Sequence, residues 1–199
     1  MPASRWPYLL VAVAAWLVSS AAAAQRLSGD ALVGELVQGG YVLVIRNARS
    51  PEDAPEEGDW APANLDGERE IDEYGQGQMS VIGYTFRTLG IAVDETLTSP
   101  AYRSRQSAYY FGFGKQSAVD TLAEGAAPSW LAARAAETPT AGHNTVIVTH
   151  GSLIAAAFGR DARNIDVAET LIFRPSEDGA ELVARLTVED WAKLAVDRE

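Results

Sequence analysis

The chain of 199 residues is long enough for a single domain with a substantial core. It contains no cysteine, which excludes disulfides, thiol catalysis and cysteine-ligated metal. A formal charge of −11 makes nucleic acid and anionic membrane poor partners, so an anionic ligand must be drawn in by a local cluster of arginines.

Residues 1–24 have the pattern of a secretory signal peptide. Arg5 supplies a short positive region, an apolar run follows over 6–18, and Ala22-Ala23-Ala24 is a small-residue cleavage site before Gln25. The competing reading is an uncleaved N-terminal anchor, although a spanning helix needs about 20 apolar residues. Cleavage leaves a mature domain over 25–199, periplasmic or secreted, with the charge at −12 and no further segment apolar enough to span a bilayer.

Ser28 is placed to cap a short helix over 30–38, with Leu32, Leu36 and Val37 on its apolar side and Gly39-Gly40 ending it. The unbroken apolar run that follows predicts a strand over 41–46, buried on both faces. Residues 50–68 carry three prolines and many acids, and predict a long loop lying over the site, either a lid or a plain solvated connection. A helix follows over 73–89: Met79, Ile82, Phe86 and Leu89 recur at helical spacing, Gly90 closes it, and Gly75 and Gly77 weaken its first turns.

A short strand over 95–99 stops at Pro100, and a helix opens around Arg103 and runs to about Phe111. A further strand is expected over 118–122, then an alanine-rich helix over 129–136 capped by Ser129. After a turn over 139–144 come a buried strand over 145–149 and a small helix over 151–158. Strands over 169–174 and 181–186 flank Asp178-Gly179, which makes them a hairpin at a sheet edge. Thr187 caps a final helix, with Glu189 in its first turn and Trp191 and Leu194 facing inward. The alternation of strand and helix predicts an α/β fold: a mainly parallel sheet with helices on both faces, in three layers.

In such sheets ligands bind beyond the carboxyl ends of the strands. The strand over 41–45 runs directly into Arg46-Asn47, and the strand over 145–149 runs into His150-Gly151, so these residues meet at one edge of the sheet. Arg103 follows a third strand at a helix start, where free N–H groups and a partial positive charge favour anions. Arg49, Arg69 and Arg105 read as surface ion pairs, and His143 reads as an exposed turn residue. No spacing of metal ligands, no P-loop and no Gly-x-Ser-x-Gly elbow occurs, so neither a metal nor another cofactor is expected.

Three blocks together resemble the histidine phosphatase superfamily, which includes phosphoglycerate mutases and acid phosphatases. They are Arg46-Asn47-Ala48-Arg49-Ser50, Ser99-Pro100-Ala101-Tyr102-Arg103-Ser104 and Thr149-His150-Gly151. Arg69 and Gly75 match a further stretch of the family, and the likeness covers roughly residues 27–194. The resemblance implies a phosphoglycerate mutase-like fold. It implies that Arg46 and Arg103 bind phosphate, that His150 helps hold the transferring phosphoryl group, and that a Glu or Asp beyond the second arginine is the general acid. Glu124 is the candidate for that acid, with Asp120 behind it.

The departure falls on the nucleophile, because Asn47 stands where the family has a histidine. A neutral imidazole offers a lone pair near pH 7. An amide nitrogen does not, since its lone pair is delocalised into the carbonyl; Asn47 can donate a hydrogen bond but cannot carry a covalent step. Three readings follow: a binding protein for a small phosphate monoester with hydrolysis weak or lost, an active phosphomonoesterase using an unusual nucleophile or direct water attack, and a structural or interaction protein with a vestigial pocket.

Overall fold

The computed structural model describes residues 26–196. The expected signal peptide and the cleavage position before Gln25 lie outside the described residues.

Six strands form one sheet in the order β3-β2-β4-β1-β5-β6. The strands are β1 (Val42–Arg46), β2 (Val93–Thr98), β3 (Lys115–Ala118), β4 (Asn144–Thr149), β5 (Thr170–Ser176) and β6 (Gly179–Leu186). The first four are mutually parallel, β5 is antiparallel to β1, and the β5–β6 hairpin closes one edge. Among the described residues six α-helices cover the two faces: α1 (Gly29–Gln38), α2 (Glu73–Leu89), α3 (Tyr102–Phe111), α4 (Pro128–Ala135), α5 (Gly151–Phe158) and α6 (Val188–Val196). The expected three-layer α/β arrangement is the observed one. Among the described residues no helix is long and apolar enough to cross a membrane.

Side chains alternate along β1 and β4, so the sheet has two cores. Leu43, Ile45, Val146 and Val148 face α1, α2, α3 and α6, while Val42, Val44 and Ile147 face α4 and α5. Because both faces are covered, these strands read as continuous apolar runs. The larger core centres on Phe86 of α2, whose ring meets Phe111 edge-on at 5.0 Å and Trp191 of α6 at 5.0 Å. Fully burying a side chain of this kind stabilises the fold by about 1.5–3 kcal/mol.

A buried amide joins three segments at the amino-terminal end of the sheet. Asn144 Oδ1 accepts from the Tyr41 N–H at 3.2 Å, and its Nδ2 donates to the carbonyls of Leu36 at 2.8 Å and Ala92 at 3.0 Å. The Gly39–Gly40 turn packs against this end, and both glycines have positive φ. A Cβ on Gly39 would overlap the backbone of Gly142 and His143, so no larger residue fits.

Several local expectations need correction. The strand expected over 118–122 is Lys115–Ala118, followed by a single 3₁₀ turn, Asp120–Leu122. Helix α4 begins at Pro128 with Ala127 at the N-cap, and the Ser129 hydroxyl does not cap it; proline's fixed φ and missing N–H suit the first helical position. Ser28 holds the N-cap position of α1 but makes no side-chain capping bond. The apolar side of α1 uses Val33, not Val37, which is 43% exposed. Gly75 is not merely a weak point in α2: a Cβ there would strike the Arg49 carbonyl, so glycine is needed for close approach. The cap of α6 is as expected, with Thr187 Oγ1 accepting from the Asp190 N–H and Asp190 returning the bond to the Thr187 N–H.

Candidate functional site

β1 and β4 are adjacent and parallel, and Arg46 lies opposite Thr149 in their register. Their carboxyl ends therefore open at the same level. The Asn47 N–H donates to the Thr149 carbonyl at 2.9 Å, which carries the pairing one residue beyond the strand. His150 then turns the chain from β4 into α5, where it is the N-cap residue. Arg103 comes from the first turn of α3, just past the end of β2.

These ends enclose a cavity of about 360 Å³. Arg46, Asn47, Arg103, Glu124 and His150 all line it, so the five residues singled out from the sequence share one wall. Arg69, Ser152, Asn164 and Ile165 line it as well. An adjoining cavity is lined by Glu68, Ser99, Arg103, Glu124 and His150, among others.

The side chains are held in place from behind. Arg46 donates through Nη1 to the Ile165 carbonyl at 2.7 Å. Its guanidinium lies across Gly151, where an added Cβ would come within 3.0 Å of Nε. A side chain at residue 151 would displace the arginine. Arg103 donates through Nη2 to Glu124 at 2.9 Å and meets His150 Nδ1 at 3.1 Å. His150 Nε2 is 2.7 Å from Ser99 Oγ, which also accepts from the Ala101 N–H.

The imidazole of His150 is therefore fixed at both nitrogens. A guanidinium can only donate, so Nδ1 accepts from Arg103 and Nε2 carries the proton toward Ser99. Burial lowers the His150 pKa below its ordinary 6.5, the positive charge of Arg103 lowers it further, and Glu124 works in the opposite direction. His150 is thus neutral at pH 7. An arriving oxyanion would meet the guanidinium groups of Arg46, Arg69 and Arg103, the Glu124 carboxylate, one neutral ring and the Asn47 amide, whose own bond to the Ala48 carbonyl is long at 3.3 Å.

Arg49 and Arg105 form exposed ion pairs as expected, Arg49 with Asp72 at 2.8 Å and Arg105 with Glu68 at 3.7 Å. Arg69 corrects the expectation made for it. It is no surface ion pair: it lines the cavity and donates to the carbonyls of Pro51 at 2.6 Å and Ser50 at 3.2 Å. Asp120 is exposed in the 3₁₀ turn and does not line the cavity. His143 is half-buried at the opposite end of β4, away from the site. The loop over 50–68 reaches the site only at its end, where Glu68 lines the adjoining cavity; the Trp60 region lines a separate hollow of its own.

Sequence reasoning did not single out Ser99, Ser152, Asn164 or the Ile165 carbonyl. The Ser99-Pro100 block gave a signal for the first, but no pattern marks a backbone carbonyl brought in from a distant loop. Among the described residues no group of three or more His, Asp or Glu side chains is arranged to hold a metal ion.

No protein-family model matches the chain, and no curated protein matches it. Solved structures do. A protein histidine phosphatase SixA complexed with tungstate aligns with TM-score 0.59 at 13% identity, covering 75% of this chain and 98% of that one. A SixA from Agrobacterium tumefaciens aligns with TM-score 0.54 at 17% identity, with 75% and 98% covered. Phosphoserine phosphatase from Entamoeba histolytica, in complex with 3-phosphoglyceric acid, aligns with TM-score 0.51 at 9% identity, with 76% and 98% covered. The chain shares the fold of these solved phosphatase structures.

Proposed function

We propose that this protein is an exported binding protein for a small phosphate monoester, built on the histidine phosphatase fold, in which hydrolysis is weak or lost. The observation that carries this reading is one wall of one cavity. Arg46, Arg103 and His150 converge there around an amide, Asn47, at the position the resemblance gives to the nucleophile.

The binding half of the reading rests on charge. Arg46 and Arg103 bring guanidinium groups, which present paired donors to a phosphoryl dianion. They do so within a chain of formal charge −11, so the cavity is a local exception to a repulsive surface. Its volume suits a small ligand. The SixA structure holds tungstate, a phosphate-like oxyanion, and the phosphoserine phosphatase holds 3-phosphoglyceric acid, which supports a small phosphorylated ligand here.

The catalytic half rests on Asn47. Splitting phosphoryl transfer into two steps needs a nucleophile that can form and release a bond to phosphorus, and a carboxamide supplies none. Export rests on the signal-like pattern over 1–24.

Calorimetry with inorganic phosphate, paired with an aryl phosphate assay on the same preparation, tests the reading. Saturable phosphate binding without turnover is expected. Turnover that survives Asn47→Ala would favour a phosphomonoesterase with another nucleophile. Absence of phosphate binding would leave a vestigial pocket and sink the proposal.

A further inference from the structure

Arg46 does not hold its own position. Its guanidinium is tied to the Ile165 carbonyl, and Ile165 belongs to a segment with no regular structure between the 3₁₀ turn Gly159–Ala162 and β5. That segment is locally unfavourable. Asn164 has φ of 52° and Ala168 has φ of 58°, both in the left-handed region that residues with a Cβ rarely adopt. Something beyond its own backbone must hold it.

The holder is an ion pair that lines no part of the anion cavity. Glu169 is 5% exposed, and its Oε2 accepts from the Asp166 N–H at 2.7 Å. Arg185, on β6, grips the same carboxylate through Nε and, at 2.8 Å, through Nη2. The rest of the guanidinium covers the segment's carbonyls. Nη1 donates to Arg163 O at 2.9 Å and lies at 3.5 Å from Asp161 O, and Nη2 donates to Asn164 O at 3.1 Å. On the other side the backbone of Arg46 is laced to the same region: its N–H donates to Glu169 O and its carbonyl accepts from the Ala168 N–H, both at 3.0 Å.

We infer that Arg185 and Glu169 are positioning residues for the anion pocket: they fix the segment over 163–169 so that the Ile165 carbonyl holds the Arg46 guanidinium toward the ligand. A fork of five donors suits this task, because it meets a carboxylate and several carbonyls at once, which an ammonium cannot do. Neither residue lines the cavity; they reach it through the segment they hold, whose Ile165 carbonyl grips Arg46 and whose Asn164 and Ile165 line the cavity beside it. The inference rests on the phosphate-binding reading for its consequence, but the positioning itself is a property of the protein without ligand.

Two measurements on the full chain test it. The first is the Nε–Hε resonance of Arg46 in a ¹⁵N NMR spectrum, identified by its loss in Arg46→Ala. In Arg185→Met, and in the milder Glu169→Gln, this resonance is expected to shift and its hydrogen to exchange faster, while the amide signals of β1 and β4 keep their positions. The second is calorimetry with inorganic phosphate. Arg185→Met is expected to bind about tenfold more weakly, Arg185→Lys to recover only part of the loss, and Arg185→Met to add nothing in an Arg46→Ala background. An unmoved Arg46 resonance in a folded variant overturns the inference, as does full additivity of the two substitutions. If the wild type binds no phosphate, the proposed function falls, and the Arg46 resonance alone still decides the positioning role. If Arg185→Met does not fold, Glu169→Gln carries both measurements.

Discussion

On the proposed reading, replacing Asn47 by histidine supplies the nucleophile that the carboxamide cannot be. The substitution is mild for the fold. Asn47 is 9% exposed and keeps its place through its backbone bond to Thr149, while its side chain gives up only a 3.3 Å contact to Ala48. The larger ring projects toward an open cavity of about 360 Å³, so crowding should cost less than the ~1–3 kcal/mol of overpacking a closed core. Holding a nucleophile at about 3–3.5 Å from its target can remove roughly 7–11 kcal/mol from a barrier when alignment is ideal. Even a quarter of that, about 1.8–2.8 kcal/mol, gives roughly twentyfold to a hundredfold at 1.36 kcal/mol per tenfold. Asn47→His is therefore expected to raise aryl phosphate hydrolysis by about twentyfold or more over wild type. A bond from the ring nitrogen to phosphorus forms as the ester P–O bond breaks. Rapid quench should trap an acid-labile phosphoprotein, and His150→Ala in the same background should abolish it. The reasoning is refuted if Asn47→His binds phosphate as tightly as wild type yet forms no phosphoprotein, because the missing nitrogen is then not what limits turnover.

Arg46→Ala and Arg103→Ala should each weaken phosphate binding by about 1.5–3 kcal/mol in calorimetry, the range for hydrogen bonds to charged groups. Arg105→Ala should leave it unchanged, since that side chain is engaged with Glu68 and the Tyr102 ring; equal effects of Arg103 and Arg105 would mean that the cavity is not the binding site. Burial and Arg103 lower the His150 pKa below 6.5, so the unfolded chain binds a proton there that the native state resists. The stability this residue contributes is whole above about pH 6.5 and declines as pH falls through the window below it. Denaturant unfolding at about pH 7.5 and pH 5.5 should show wild type losing more than His150→Gln on acidification. Mass spectrometry of the exported protein should find a chain beginning near Gln25, and an intact Met1 would rule out cleavage.

The parts of the fold that were legible in the sequence are those where one pattern dominates. The apolar runs of β1 and β4 leave no competing face, and α2 combines a helical apolar stripe with a closing glycine, Gly90 in the left-handed conformation. β3 was misplaced because Lys115–Ala118 is an exposed edge strand; with nothing to bury, it has no apolar alternation to read. The start of α4 was misread for a different reason: a serine and a proline both mark helix starts, and here the proline at the first position prevails. At the site, Arg46, Asn47, Arg103 and His150 were legible because Arg46 ends a strand, Asn47 and His150 immediately follow strand ends, and Arg103 lies in the first turn of a helix. The supports behind them were not. Ile165 O, Gly151 and the Arg185–Glu169 pair act through tertiary contacts between segments distant in the chain, and no local spacing announces such a contact.

Asn144 lies at the end of β4 remote from the cavity, yet it bears on the cavity's dimensions. β1 and β4 are greasy on both sides, so burial alone scarcely distinguishes the native pairing of Val42 with Thr145 from one displaced along the strands. A displacement of two residues would carry His150 roughly 6–7 Å along the sheet relative to Arg46, too far for both to grasp one oxyanion. The carboxamide of Asn144 penalises that displacement, since it would leave the Tyr41 N–H without its acceptor and take one of its two donors from the Leu36 carbonyl in a dry interior. The sheet thus carries its own gauge block: a polar residue with no chemical part in the pocket sets the distance between the two strand ends that form it.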